Sequence, residues 1–205
     1  FIWEGRNCFV SVAHSDEDID RFITAVKESV NAMRVDGFFG LEGIRPDTPY
    51  AATDSQLRFL QLAAQDESGL LAGNIGGVIE TARDVDSNIM REAWHLLSAR
   101  HEALRMQFTD AGELRVSSET EVDFREENAV PATCLADFAA QPFNLATAPL
   151  ARLLLIRHEG KTTLAIAAHH TVADGWSFMV MLRELLHLYD ALAAGKRPEL
   201  TAAVS

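Results

Sequence analysis

Two adjacent histidines, His169 and His170, close an apolar run, and Asp174 and Gly175 follow within five residues in Ala-Ile-Ala-Ala-His-His-Thr-Val-Ala-Asp-Gly-Trp-Ser, Ala165 to Ser177. Neutral imidazole near pH 7 accepts a proton from an amine or a thiol. A carboxylate four residues on can pair with the imidazole or brace the turn through an arginine. Gly175 offers a backbone conformation that other residues resist. These residue types fit acid–base work at a strand end, or a packed corner with satisfied histidines.

Metal binding fits poorly. Neighbouring side chains on a strand point to opposite faces, so His169 and His170 do not converge on one ion. No nearby Cys, His or Glu set offers further ligands, and no metal is expected. A Ser-His-Asp hydrolase also fits poorly. Ser177 is the serine at hand, and the chain has no G-x-S-x-G elbow.

A rigid frame must hold such a pair. Pro149 to His170 reads as a hairpin turning at Glu159-Gly160, with strands so apolar that both faces should be buried. After the Asp-Gly turn, Trp176 to Ala194 reads as a helix. Met179, Leu182, Leu185, Leu186 and Tyr189 line one side, and Gly195 stops it. A strand–turn–helix junction of this kind commonly exposes a working side chain.

Earlier segments supply the remaining layers. Thr53 and Gln56 form a capping box before a helix with Leu57, Leu60 and Ala64. Asn74 to Glu80 reads as a strand whose Gly76-Gly77 pair marks a bulge or a close backbone approach. Asp86 caps a helix through Ile89, Ala93, Leu96 and Leu97, and Leu104 to Ser118 reads as a hairpin around Thr-Asp-Ala-Gly. Leu135 to Ala140 reads as a short helix. Further upstream, Ser15 and Asp18 form a capping-box variant ahead of an apolar stripe from Ile19 to Met33. Residues 38–48, with Pro and Gly, read as a linker. The pattern is an α/β sandwich, with helices covering a mixed, largely antiparallel sheet.

The 205 residues are 48% hydrophobic, enough for one or two globular units. Asp and Glu number 30 against 18 Lys and Arg, a net charge of −12 that argues against nucleic acid or an anionic membrane as partner. Cys8 and Cys134 suggest no disulfide framework. No transmembrane run or signal peptide is visible, so a cytoplasmic location is expected. The chain opens on Phe1 and reads as a piece of something longer.

Four segments carry a resemblance. His-His-Thr-Val-Ala-Asp-Gly at 169–175 resembles H-H-x-x-x-D-G, the signature of nonribosomal peptide synthetase condensation domains. Ala99 to Phe108 is similar to that family's R-H-E-x-L-R-x-x-F segment. Thr53 to Leu60 is similar to S-x-A-Q-x-R, with Thr53 for Ser and Ser55 for Ala. Pro142 to Leu155 resembles P-F-D-L-x-x-x-P-L-x-R, with Asn144 where Asp is usual. The resemblance covers about residue 46 to the end.

The resemblance implies a chloramphenicol-acetyltransferase-like fold, of which this chain holds the N-terminal subdomain. It implies amide formation between a carrier-bound acyl thioester donor and a carrier-bound aminoacyl acceptor. His170 is the catalytic candidate, as general base or as an orienting group. His169 points into the fold. Asp174 braces the turn through an arginine, for which Arg105 is the candidate. Gly175 lets the backbone approach the reaction centre. Arg58 and Arg100 read as ordinary surface or structural charges. The implied partners are donor and acceptor carrier proteins bearing phosphopantetheine, and a C-terminal condensation subdomain. The fragment itself is expected to hold no cofactor and to be inactive alone.

Residues 1–37 are similar to the C-terminal tail of class III, glutamate-1-semialdehyde-type aminotransferases. An upstream aminotransferase domain with pyridoxal phosphate is therefore implied, its cofactor site outside this chain. The domain plan is 1–37 aminotransferase tail, 38–48 linker and 49–205 condensation subdomain. Coenzyme A-dependent acyltransferases and epimerization domains share H-x-x-x-D. The segment Arg100 to Arg105 argues against the first, and Gly175-Trp176-Ser177 argues against the second. A carrier-docking half-domain without activity is the non-enzyme alternative.

Overall fold

The computed structural model describes residues 15–35 and 46–198. The chain divides into two compact units between Gly43 and Ile44. In the first, helix α1 spans Asp16–Val35. Its N-terminus is closed reciprocally. The Asp18 backbone N–H donates to Ser15 Oγ at 3.2 Å, and the Ser15 backbone N–H donates to Asp18 Oδ2 at 3.0 Å. Most of the linker lies outside the described residues.

The second unit runs through α2 (Asp54–Ala63), α3 (Glu67–Leu71), β1 (Asn74–Thr81), α4 (Ser87–Arg100) and a 3-10 turn (Glu102–Arg105). It continues with β2 (Met106–Phe108), β3 (Leu114–Val116), β4 (Asp123–Asn128), α5 (Pro131–Ala140), β5 (Ala151–His158), β6 (Lys161–His169) and α6 (Gly175–Ala193). The main sheet has the order β1-β6-β5-β4, and β2 with β3 forms a separate two-stranded ribbon. β5 pairs antiparallel with β6, and β6 antiparallel with β1, placing Asn74 opposite His169. β4 pairs parallel with β5. The sheet is mixed and mostly antiparallel, as the sequence pattern predicts.

Both faces of β5 and β6 are covered. On one side Leu153, Leu155, Leu164 and Ile166 join Trp94 and Leu97 of α4 and Leu185 of α6. On the other, Leu154, Ile156, Ala165 and Ala167 meet Phe138 of α5 and Phe143. Each large side chain removed from water here contributes about 1.5–3 kcal/mol before the entropy cost of ordering it. The hairpin turns at Glu159 (φ 49°) and Gly160 (φ 74°), the left-handed pair that reverses a right-twisted ribbon.

Several local outcomes differ from the sequence reading, among them the unanticipated α3 and an α5 that begins at Pro131 instead of Leu135. β4 was not anticipated, because Asp-Phe-Arg-Glu-Glu-Asn buries one apolar side chain, Phe124, and joins the sheet by backbone pairing. The Leu104 hairpin begins two residues later, after the 3-10 turn. Gly76 and Gly77 sit in an unbroken register, which excludes a bulge. Close approach accounts for Gly76, where a Cβ would stand 3.0 Å from the Ile166 carbonyl oxygen.

Candidate functional site

β6 ends at His169, and the chain then turns through His170 and Thr171 toward α6. His170 lies one residue past the end of β6, so strand alternation does not set its direction, and both rings meet Phe59. His169 is 1% exposed, whereas His170 is exposed. The His169 ring lies edge-on to Phe59 and to Phe143, with centroid separations of 5.7 and 6.3 Å. Its Nδ1 accepts from the Thr171 backbone N–H at 3.3 Å and lies 2.9 Å from Thr171 Oγ1. That acceptor role assigns the ring proton to Nε2, which has no hydrogen-bond partner among the described residues. Burial pushes the His169 pKa down to about 4, helped by the neighbouring His170. His169 is therefore a neutral, packed support.

His170 is held from its backbone and its ring face. Its N–H donates to the Gly73 carbonyl at 2.7 Å, tying the turn to the residue before β1. Its ring stacks on Phe59 at 5.2 Å between centroids and 23° between planes. Gln56, one helical turn before Phe59 on α2, completes the clamp. Gln56 Oε1 accepts from the Thr53 N–H at 3.0 Å, and Nε2 donates to the Thr171 carbonyl at 2.9 Å. The capping box visible in the sequence thus also fastens α2 to the histidine turn.

Asp174 is the N-cap of α6. Its Oδ1 accepts from the Ser177 N–H at 2.8 Å and from Ser177 Oγ at 2.6 Å. These two hydrogen bonds from Ser177 hold the Asp174 carboxyl below its ordinary value. The expected arginine brace is corrected: Arg105 does not serve Asp174. Its guanidinium donates to the carbonyls of Ser98 (3.2 Å), Ala99 (3.5 Å) and Ser117. These include open carbonyls at the end of α4, which a forked cation close in sequence reaches with little chain ordering.

The special backbone conformation expected of Gly175 is corrected. Gly175 has no left-handed φ, and a Cβ there would meet nothing within 4 Å. At this turn the space-limited glycine is Gly73, where a Cβ would stand 2.1 Å from His169 Nε2. Arg58 is exposed. Arg100 Nε and His101 Nε2 lie 3.0 and 2.7 Å from Glu184 Oε2, tying the end of α4 to α6. Gly73 and Phe59 escaped the sequence reading, because neither carries a reactive group and both meet the histidines from distant segments.

A buried, neutral histidine beneath an exposed one, at a strand end ahead of a helix capped by Asp174, defines a single accessible imidazole on that turn. The family model described as "Condensation domain" matches residues 46–204. The chain belongs to the condensation domain family.

Its relatives are peptide synthetases. The chain is 34% identical over 169 residues to phosphinothricin tripeptide synthetase PhsC of Streptomyces viridochromogenes, an alignment covering 74% of this chain and 15% of that protein. It is 32% identical over 180 residues to bacitracin synthase 3 of Bacillus licheniformis, covering 85% of this chain and 3% of that protein. The chain therefore spans a small part of these relatives. The starter condensation domain of rhizomide synthetase RzmA superimposes with a TM-score of 0.66 at 21% identity, covering 75% of this chain and 41% of that one. The first condensation domain of the calcium-dependent antibiotic synthetase, solved with a substrate analogue, gives 0.66 at 18%, covering 77% and 42%. These likenesses establish the chloramphenicol-acetyltransferase-like α/β fold. Among the described residues no helix is long and apolar enough to cross a membrane.

Proposed function

We propose that this chain is part of a peptide or hybrid polyketide–peptide synthetase and works in amide formation, with His170 at the reaction centre. The observation that carries this reading is the contrast between the exposed His170 and the buried, neutral His169. In the proposed step, the acceptor's amine nitrogen attacks the donor thioester carbonyl carbon. The C–N bond forms and the C–S bond breaks. The departing sulfur takes the proton that the amine gives up. His170 accepts a hydrogen bond from the attacking amine and carries that proton as the tetrahedral species forms. His169, Asp174 and the Gln56 clamp hold the turn on which His170 rides.

The substrates in this reading are acyl and aminoacyl groups on carrier proteins, whose phosphopantetheine arms supply the thioesters. Trp176 and Met179, 78% and 61% exposed on the first turns of α6, favour a further protein surface over this helix. We assign that surface to a C-terminal condensation subdomain. Residues 1–37 are read as the tail of an aminotransferase domain, on sequence resemblance alone, and the site of action is read as cytoplasmic.

The test is single-turnover amide formation by the intact condensation domain with both carriers loaded, followed by intact mass. Loss of product in His170→Ala supports the reading. Product formed at an unchanged rate by that variant refutes it.

A further inference from the structure

α2 presents Gln56, Phe59, Leu60 and Ala63 along one face, at the spacing of a helical stripe. Leu60 and Ala63 pack against the core on the α5 side of the sheet. Gln56 is fastened to the Thr171 carbonyl. The position of Phe59 is therefore set from both sides along its own helix. Its ring meets both histidines: stacked on His170 at 5.2 Å and 23°, edge-on to His169 at 5.7 Å and 80°.

The stacked contact has a particular chemistry. Among the described residues no hydrogen bond holds the His170 imidazole, and Phe59 is its ring contact. A hydrogen bond would orient the ring but occupy one of its nitrogens. Stacking orients the ring through its π face and leaves Nδ1 and Nε2 free at the edge.

We infer that Phe59 is a positioning residue for His170, fixing the plane of the imidazole while leaving both nitrogens available. The inference rests on the reading of His170 given above. Phe59 touches no substrate in this scheme and acts through His170.

Two measurements test it. In ¹H–¹³C spectra of the full 205-residue chain, the His170 ring C–H signals, assigned with His170→Ala, are displaced upfield by the Phe59 ring current. Phe59→Leu returns them to the position of a free histidine, and Phe59→Tyr keeps them displaced. Backbone amide dispersion confirms that each variant is folded. In the intact condensation domain with loaded carriers, Phe59→Leu slows single-turnover amide formation on the order of tenfold. Its dependence on carrier concentration is unchanged, and Phe59→Tyr restores the rate. His170 signals at one position in wild type and Phe59→Leu overturn the inference. So does a wild-type rate in Phe59→Leu when His170→Ala is inactive. A full rate in His170→Ala overturns the site reading itself, and the inference with it.

Discussion

Gly73 and His169 are in direct contact: the His169 Nε2 occupies the space that a side chain at residue 73 would fill, 2.1 Å from an ideal Cβ. Gly73 also accepts the His170 N–H through its carbonyl. One residue thus supports the buried ring through the absence of a side chain and the exposed histidine through its backbone. Gly73→Ala forces the His169 ring or the strand end to move. The expected cost is about 1–3 kcal/mol, the range for overpacking, read as a lowered denaturant midpoint with unchanged m-value. Gly175→Ala, with open space at its Cβ, is expected to leave the midpoint nearly unchanged.

His169 gives the fold a pH signature. Its ordinary value of 6.5 falls to about 4 in the folded chain. Above pH 6.5 both folded and unfolded states hold it neutral, and stability is full. As pH falls from 6.5 toward 4, the unfolded state takes up the proton first, and stability declines. The decline ends near pH 4, where the folded state protonates as well. The total is about 3 kcal/mol. Unfolding free energies of wild type and His169→Gln, measured across this window, should converge as pH falls. A constant difference would contradict the burial-driven shift.

Asp174 and Arg105 are expected to be energetically independent. Asp174→Ala removes the α6 N-cap, at a cost of about 1 kcal/mol. Arg105→Ala leaves carbonyls of α4 and Ser117 without their donor. A double-mutant cycle in denaturant should give a coupling below about 0.5 kcal/mol. A larger coupling would restore the arginine–aspartate brace.

Gln56→Glu separates the two tasks of Gln56. The carboxylate still accepts the Thr53 N–H and suits the N-terminus of α2. It cannot donate to the Thr171 carbonyl. The loss is expected to be about 1–2 kcal/mol, with faster amide exchange at Thr171 and Val172 and no loss of helix content.

Arg152 is 2% exposed on β5, and its guanidinium donates to the carbonyls of Phe138 and Gln141. It also lies over the rings of Phe138 and Phe143, at 5.1 and 4.2 Å from their centroids. Burial pushes its pKa down to about 10. Arg152→Ala leaves those carbonyls unanswered and opens a void. A loss of about 3 kcal/mol is expected, together with early exchange of the α5 amides.

Much of this was local and therefore legible. The Thr53–Gln56 box, the Asp86 cap and the Glu159-Gly160 turn depend on residues a few positions apart, so their types and spacing suffice. The double burial of β5 and β6 follows from runs with no polar face.

What the sequence determined by itself was a pair of adjacent histidines closing an apolar strand, ahead of a turn and a helix. Tertiary structure decided which ring is buried, because that depends on α5, Phe143 and Gly73 closing over one face. It gave Arg105 to nearby carbonyls instead of Asp174, since a long side chain with five donors goes wherever open acceptors lie within reach. It also brought Gln56 to Thr171 from 115 residues away. Phe59 was set against His170 by the same docking of α2. Contacts of that range follow from how layers pack together, and no local spacing along the chain encodes them.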